Sequence, residues 1–123
     1  MPGALVSATV PVPVNLNARH GATMTTPEGK VKAKVKTQVI DKLARRYAFW
    51  PVQVGMGATT LDCLMCINGY FVAIETKAQG KKLTPRQEAV AALVRNAGGM
   101  VYVVTPDTDL PSLLFDIKND CLI

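Results

Sequence analysis

The 123-residue chain is 49% apolar, 19% charged and 6% aromatic, with 14 Lys and Arg against 9 Asp and Glu and a formal net charge of +5. That length suits one domain, and that apolar fraction is enough for one packed core, which excludes wholesale disorder. No apolar run reaches the roughly 18 residues of a membrane span, the 3 cysteines lack the paired spacing of a disulfide scaffold and suit a reducing compartment, and the basic excess points to an anionic partner without naming it.

Residues 1–25 carry Pro2, Pro11 and Pro13, small residues and no helical or strand period. The apolar run from Ala4 to Val14 lacks a basic stretch before it and is cut by two prolines, so it reads as a flexible or partner-draped arm rather than a signal peptide. His20, the one histidine, falls in this arm with no Cys, His or carboxylate close by to share a metal. The predicted domain spans 26–123.

Thr26-Pro27-Glu28 is a helix start, with a Thr cap, Pro at the first position and an acid in the first turn. Val31, Val35, Val39 and Leu43 recur every four residues behind it, with Ile40 and Ala44 beside them. The alternation from Val31 to Lys36 competes for a strand; the cap and the length of the period decide for helix. Glu28 sits at the end of the inward stripe. Lys30, Lys32, Lys34 and Lys36 span two sides of the same helix, as a solvated face or as DNA contacts.

Tyr47 to Val54 reads as a strand that Pro51 makes irregular or places at an edge, followed by a Gly55-Met56-Gly57 loop. Leu61 to Lys77 holds two β-rich runs around Asn68-Gly69, a two-residue hairpin signal. Thr84 and Gln87 form a capping box opening a second helix, with Val90, Leu93 and Val94 facing inward and Gly98-Gly99 ending it. Met100 to Thr105 is a buried strand, and Asp107 or Asp109 caps a last helix through Leu113, Leu114 and Ile117. The order is helix, strand, strand, strand, helix, strand, helix. The helix between the third and fourth strands implies a parallel crossover. The class is α/β, a small mixed sheet flanked by helices.

A turn at Asn68 and Gly69 sets the hairpin register: Ile67 opposes Tyr70, Cys66 opposes Phe71, and Asp62 stands opposite Glu75, with Cβ atoms roughly 4.5–5.5 Å apart. Lys77 follows on the same face. Both faces of the hairpin look covered, so two facing carboxylates must share a proton, pair with a cation or hold a metal. Lys77 can neutralise one. Mg²⁺ suits the rest, since it takes hard oxygen ligands and keeps waters. A plain Asp–Lys–Glu network at a sheet end is the alternative. Glu28, on a helix that must pack on this sheet, could bring a third carboxylate. Cys63-x-x-Cys66 is a poor zinc pair, because residues three apart on a strand point to opposite faces.

These residues resemble a known pattern. Asp62 followed by Glu75-Thr76-Lys77 on the next strand is similar to the core of the PD-(D/E)xK nuclease superfamily, with Leu61 where the superfamily name has Pro. Gly69 to Lys77, then Leu83-Thr84-Pro85-Arg86-Gln87, then Gly98-Gly99 and Val101 to Thr105, resemble the VRR-NUC family in particular, over about residues 26–116. The resemblance implies a restriction-endonuclease-like core whose site takes an acid from the first helix (Glu28), Asp62, Glu75, Lys77 and Gln87. It implies Mg²⁺ or Mn²⁺ held by Asp62, Glu75 and the main-chain carbonyl of Thr76, with Glu28 as a further candidate ligand, and metal-dependent hydrolysis of DNA phosphodiester bonds. Lys77 would then position water or stabilise developing charge. Gln87 is either part of that site or only the partner of Thr84 in the capping box.

Lys81, Lys82, Arg86, Arg45 and Arg46 are the candidate DNA contacts. So small a core offers little surface for reading bases, so the expected substrate is a DNA shape such as a branched junction; the resemblance implies a Holliday-junction-resolvase-like homodimer, which the apolar arm and Cys121-Leu122-Ile123 could serve. The setting expected is cytoplasmic, in a bacterium or a phage-infected host, with no membrane partner. The alternatives are a non-catalytic nucleic-acid-binding or assembly module that keeps the fold, and an inhibitor or scaffold acting on protein.

Overall fold

The structure is a computed structural model that describes residues 26–52 and 60–123. The expected arm over 1–25, His20 and the Gly55-Met56-Gly57 loop lie outside the described residues.

Helix α1 spans Pro27–Gln38, with the Thr26 hydroxyl accepting from the Gly29 N–H and Pro27 in the first turn. It ends earlier than the four-residue period predicts. Val39 leaves helical geometry, a 3₁₀ turn follows over Ile40–Lys42, and Leu43 is extended. Val39, Ile40 and Leu43 are nevertheless all buried, because the tighter turn still aims them at the same core. Strand β1 covers Arg46–Phe49, shorter than the expected run to Val54. Pro51 has no N–H for a ladder and pushes the residue before it out of regular pairing.

Strands β2 (Cys63–Ile67) and β3 (Tyr70–Thr76) form the expected hairpin. Asn68 and Gly69 both adopt positive φ, 50° and 86°, which is the geometry a tight two-residue turn demands. The pairs run from Ile67 with Tyr70 to Cys63 with Ile74, so the register is the one the turn sets.

Helix α2 spans Pro85–Asn96 and opens with the complete Thr84–Gln87 capping box. Its buried contact is Ala91, while Leu93, expected inward, is 68% exposed. The helix covers too little of the sheet to enclose the whole apolar stripe. Strand β4 (Met100–Val104) lies parallel to β3, with Val104 alone in it fully buried and Val103 exposed. Helix α3 (Leu110–Asp120) is capped by Asp109.

The sheet order is β1-β2-β3-β4, antiparallel except for the β3–β4 pair. The described residues are therefore α/β, a four-stranded mixed sheet with three α-helices. Val31 and Val35 of α1, Leu113 and Ile117 of α3, and Met65, Ile67, Val72 and Ile74 of the sheet form the core on one face. Helix α2 packs on the other face, next to β4. The carboxyl ends of the parallel pair thus lie together, with the first turns of α1 and α2 nearby. In open α/β sheets this is where ligands bind.

Candidate active site

Asp62 lies one residue outside the β2 ladder, and its carboxylate takes over where the strand stops. Oδ2 accepts the Thr76 main-chain N–H at 2.9 Å and the Thr76 hydroxyl at 2.7 Å. Continuing the register would pair Thr76 with Leu61; the Asp62 side chain supplies the acceptor instead. Glu75 returns the contact. Its Oε1 accepts the Asp62 main-chain N–H at 3.0 Å. The two acids are opposite each other, as the register requires: Glu75 holds the Asp62 main chain, and Asp62 holds that of Thr76, the residue after Glu75.

The second oxygen of each acid faces a donor. Asp62 Oδ1 lies 3.7 Å from Lys32 Nζ. Glu75 Oε2 accepts from Gln87 Nε2 at 2.8 Å and lies 3.9 Å from Lys77 Nζ. Gln87 does both things its position allows: its Oε1 accepts the Thr84 N–H at 2.9 Å, closing the capping box, while its amide nitrogen holds Glu75. A carboxamide held through both its oxygen and its nitrogen keeps its partner in one geometry at little further entropic cost.

Glu75 and Lys77 are buried, an expensive place for charge. Burial pushes the Glu75 carboxyl up to about 7, and the charges of Asp62 and Glu28 push the same way; the Asp62 N–H and Lys77 pull it back. Burial above all, and the neighbouring carboxylates after it, thus oppose the charged form of Glu75. The cluster's donors are all oxygen, and in an extended strand the Thr76 carbonyl lies on the same edge as the N–H that meets Asp62. This set fits a hard divalent cation such as Mg²⁺ or Mn²⁺, with waters completing the shell. Glu28, half-buried in the first turn of α1, acts on Glu75 through its charge. Among the described residues no three Asp, Glu, Cys or His side chains converge on one point, so Glu28 stands off from the Asp62–Glu75 pair.

The basic residues divide. Lys81 and Lys82 are exposed on the loop from Lys77 to α2, and Arg86 is exposed in the first turn of that helix, next to Gln87. Arg45 and Arg46 are not brought to the site. They lie at the hairpin-turn end of the sheet, where the Asn68 N–H bonds the Arg45 carbonyl and Arg46 pairs with Asp41 and the Leu43 carbonyl. Five residues of β2, at about 3.4 Å each, separate the two ends by about 17 Å. The α1 lysines point three ways. Lys32 meets Asp62, Lys30 and Lys34 line a groove of about 510 Å³ against the start of α3, and Lys36 lies beside β1.

Two contributors escape a reading by motif. Thr76 was expected to offer a carbonyl; it also donates twice to Asp62. Lys32 sits one helical turn after Glu28, and that i, i+4 spacing is the signal that places it on the site's edge. The CxxC string splits as strand geometry requires, with Cys63 buried and Cys66 exposed; burial pushes the Cys63 thiol up to about 12, far from a ready metal ligand or nucleophile. Comparison of the chain with protein families and with curated proteins finds no match.

Proposed function

We propose that this chain is a metal-dependent DNA endonuclease with a restriction-endonuclease-like core of the VRR-NUC type, acting on branched DNA as a homodimer. The observation that carries the reading is the buried Asp62–Glu75–Lys77 set at the end of the β2–β3 hairpin, with Gln87 anchoring Glu75. A fold needs no such cluster. Buried like charges cost stability, and nature retains them where chemistry uses them.

In this reading Asp62, Glu75 and the Thr76 carbonyl hold Mg²⁺ or Mn²⁺, which when bound neutralises charge on the scissile phosphate and acidifies water. Gln87 fixes the Glu75 carboxylate. Lys77, buried beside Glu75, holds the attacking water or stabilises charge developing on the phosphate. Lys81, Lys82 and Arg86 meet phosphates on the rim. Arg45 and Arg46 serve DNA only if the duplex runs the length of the sheet.

The dimer draws on the outer sheet face, where Tyr47, Phe49 and Phe71 are exposed beside Leu64 and Cys66. Of the C-terminal residues, Cys121 is buried in the core, leaving Leu122 and Ile123 exposed. A host or phage cytoplasm remains the proposed setting; among the described residues no helix is long and apolar enough to cross a membrane.

The test mixes the protein with four-way junction, flap and linear DNA in Mg²⁺, Mn²⁺ or EDTA, beside Lys77→Ala and Glu75→Ala. Cleavage of the junction in metal, absent in EDTA and in both variants, is the expected result. Binding without cleavage in any metal would favour the non-catalytic module instead.

A further inference from the structure

Lys32 is the one α1 lysine aimed at the acidic pair, and its place there needs a reason. Asp62 already satisfies Oδ2 through Thr76, and Lys32 Nζ stands 3.7 Å from Oδ1. The contact is an ion pair without a tight hydrogen bond. The Lys32 side chain is 39% exposed, against 10% for that of Lys77. Lys77 is held inside the protein, whereas the long Lys32 side chain reaches the site's edge from α1 and keeps part of its surface in solvent. Lys30 and Lys34, two residues either side, line a different groove.

A cation entering at Asp62 Oδ1 takes the oxygen that Lys32 now faces. A divalent cation on that oxygen repels the ammonium and weakens its hold on Asp62, and the tether keeps the displaced ammonium at the rim where an incoming phosphate arrives. We propose that Lys32 is an exchangeable counter-ion: it neutralises Asp62 while the cation site is free and turns to a DNA phosphate when a divalent metal binds. This rests on the metal-dependent reading above. Lys32 is a positioning residue, since it acts on the reaction through Asp62 and the substrate backbone. The exchange keeps the acidic pair from repelling DNA before metal arrives, and couples metal binding to phosphate binding.

The proposal makes Lys32→Ala act with opposite sign on two ligands. Removing the competing ammonium should tighten Mn²⁺ binding by about fivefold, the worth of a part-exposed ion pair. Removing the phosphate contact should lower the slope of log affinity against log salt for junction DNA in Ca²⁺ by about one. Lys34→Ala removes the same charge from the same helix and controls for the general field. The measurement is Mn²⁺ calorimetry on the intact chain for wild type, Lys32→Ala, Lys34→Ala and Asp62→Asn, with salt-dependent DNA binding alongside. Tighter Mn²⁺ binding in Lys32→Ala than in Lys34→Ala, with the weakened salt slope, supports the exchange. A Mn²⁺ site that Asp62→Asn abolishes but that Lys32→Ala tightens no more than Lys34→Ala overturns the exchange and leaves the nuclease reading standing. No Mn²⁺ site sensitive to Asp62→Asn overturns both.

Discussion

At the scale of single residues, the site is governed by Glu75. Its carboxyl binds a proton more tightly in the folded chain, at about 7, than at its ordinary value of 4.5. Between those values the folded state holds more proton than the unfolded one, so this group's contribution to stability falls as pH rises through the window and is fully lost above about 7. Thermal melts in EDTA from pH 4.5 to 8 should show that decline, and Glu75→Gln should remove it. Metal binding runs the other way: it needs the ionised carboxylate, so affinity should weaken as pH drops below about 7. Asp62 is the other half. Truncating it to Ala strands the Thr76 N–H and hydroxyl inside the protein and should cost about 1–3 kcal/mol, measured by urea unfolding, whereas Asp62→Asn keeps an acceptor and should cost less. Gln87→Ala should cost about 1–3 kcal/mol of stability through the lost capping box and the lost bond to buried Glu75, and free the Glu75 carboxylate to turn; a fall in metal affinity larger than the fall in stability would mark its second role.

At the scale of elements, the turn chemistry was the most readable part of the chain. Asn68-Gly69 set a register that holds pair by pair to Cys63 with Ile74, because positive φ at two adjacent positions leaves almost no other hairpin geometry. Thr26, Thr84 and Asp109 cap their helices as side-chain chemistry alone suggests. Periodicity was less reliable. The α1 stripe continues through Val39, Ile40 and Leu43 although the helix stops at Gln38, since a 3₁₀ turn and a helix can present the same side to a core. Leu93 fits an inward period but finds no wall to pack against. The acids of the site were legible from register; the Lys32–Asp62 contact was not, because it joins residues from two elements whose packing angle no local pattern encodes. Gly99 adds a packing constraint of the same non-local kind. A Cβ there would lie 2.8 Å from Val94 Cγ1 and 3.0 Å from the Phe71 ring, so Gly99→Ala should push α2 off the sheet and cost about 1–3 kcal/mol by thermal or denaturant unfolding.

At the scale of the molecule, the +5 charge is an average over unlike regions. An acidic pair at the carboxyl ends of β3 and β4 sits among lysines from α1 and the loop before α2, while the outer face of β1 and β2 is apolar and nearly free of charge. That division suits a chain that meets phosphate on one side and another surface on the other. If the outer face joins two copies, Phe49→Lys should shift the sedimentation coefficient at micromolar concentration from dimer to monomer, with the circular dichroism spectrum unchanged; a wild-type monomer at that concentration would remove the dimer from the proposal.

In the proposed reaction the buried acid–lysine set hydrolyses phosphodiester bonds. Single-turnover cleavage of a labelled four-way junction in Mg²⁺, by wild type and by Lys77→Met, tests it most directly. Methionine keeps the length and burial of the side chain and removes the charge. Lys77→Met should bind the junction within about threefold of wild type and cleave it about a hundredfold or more slower. Equal cleavage rates, or a wild type that binds the junction and leaves it intact in both Mg²⁺ and Mn²⁺, would contradict the proposed reaction.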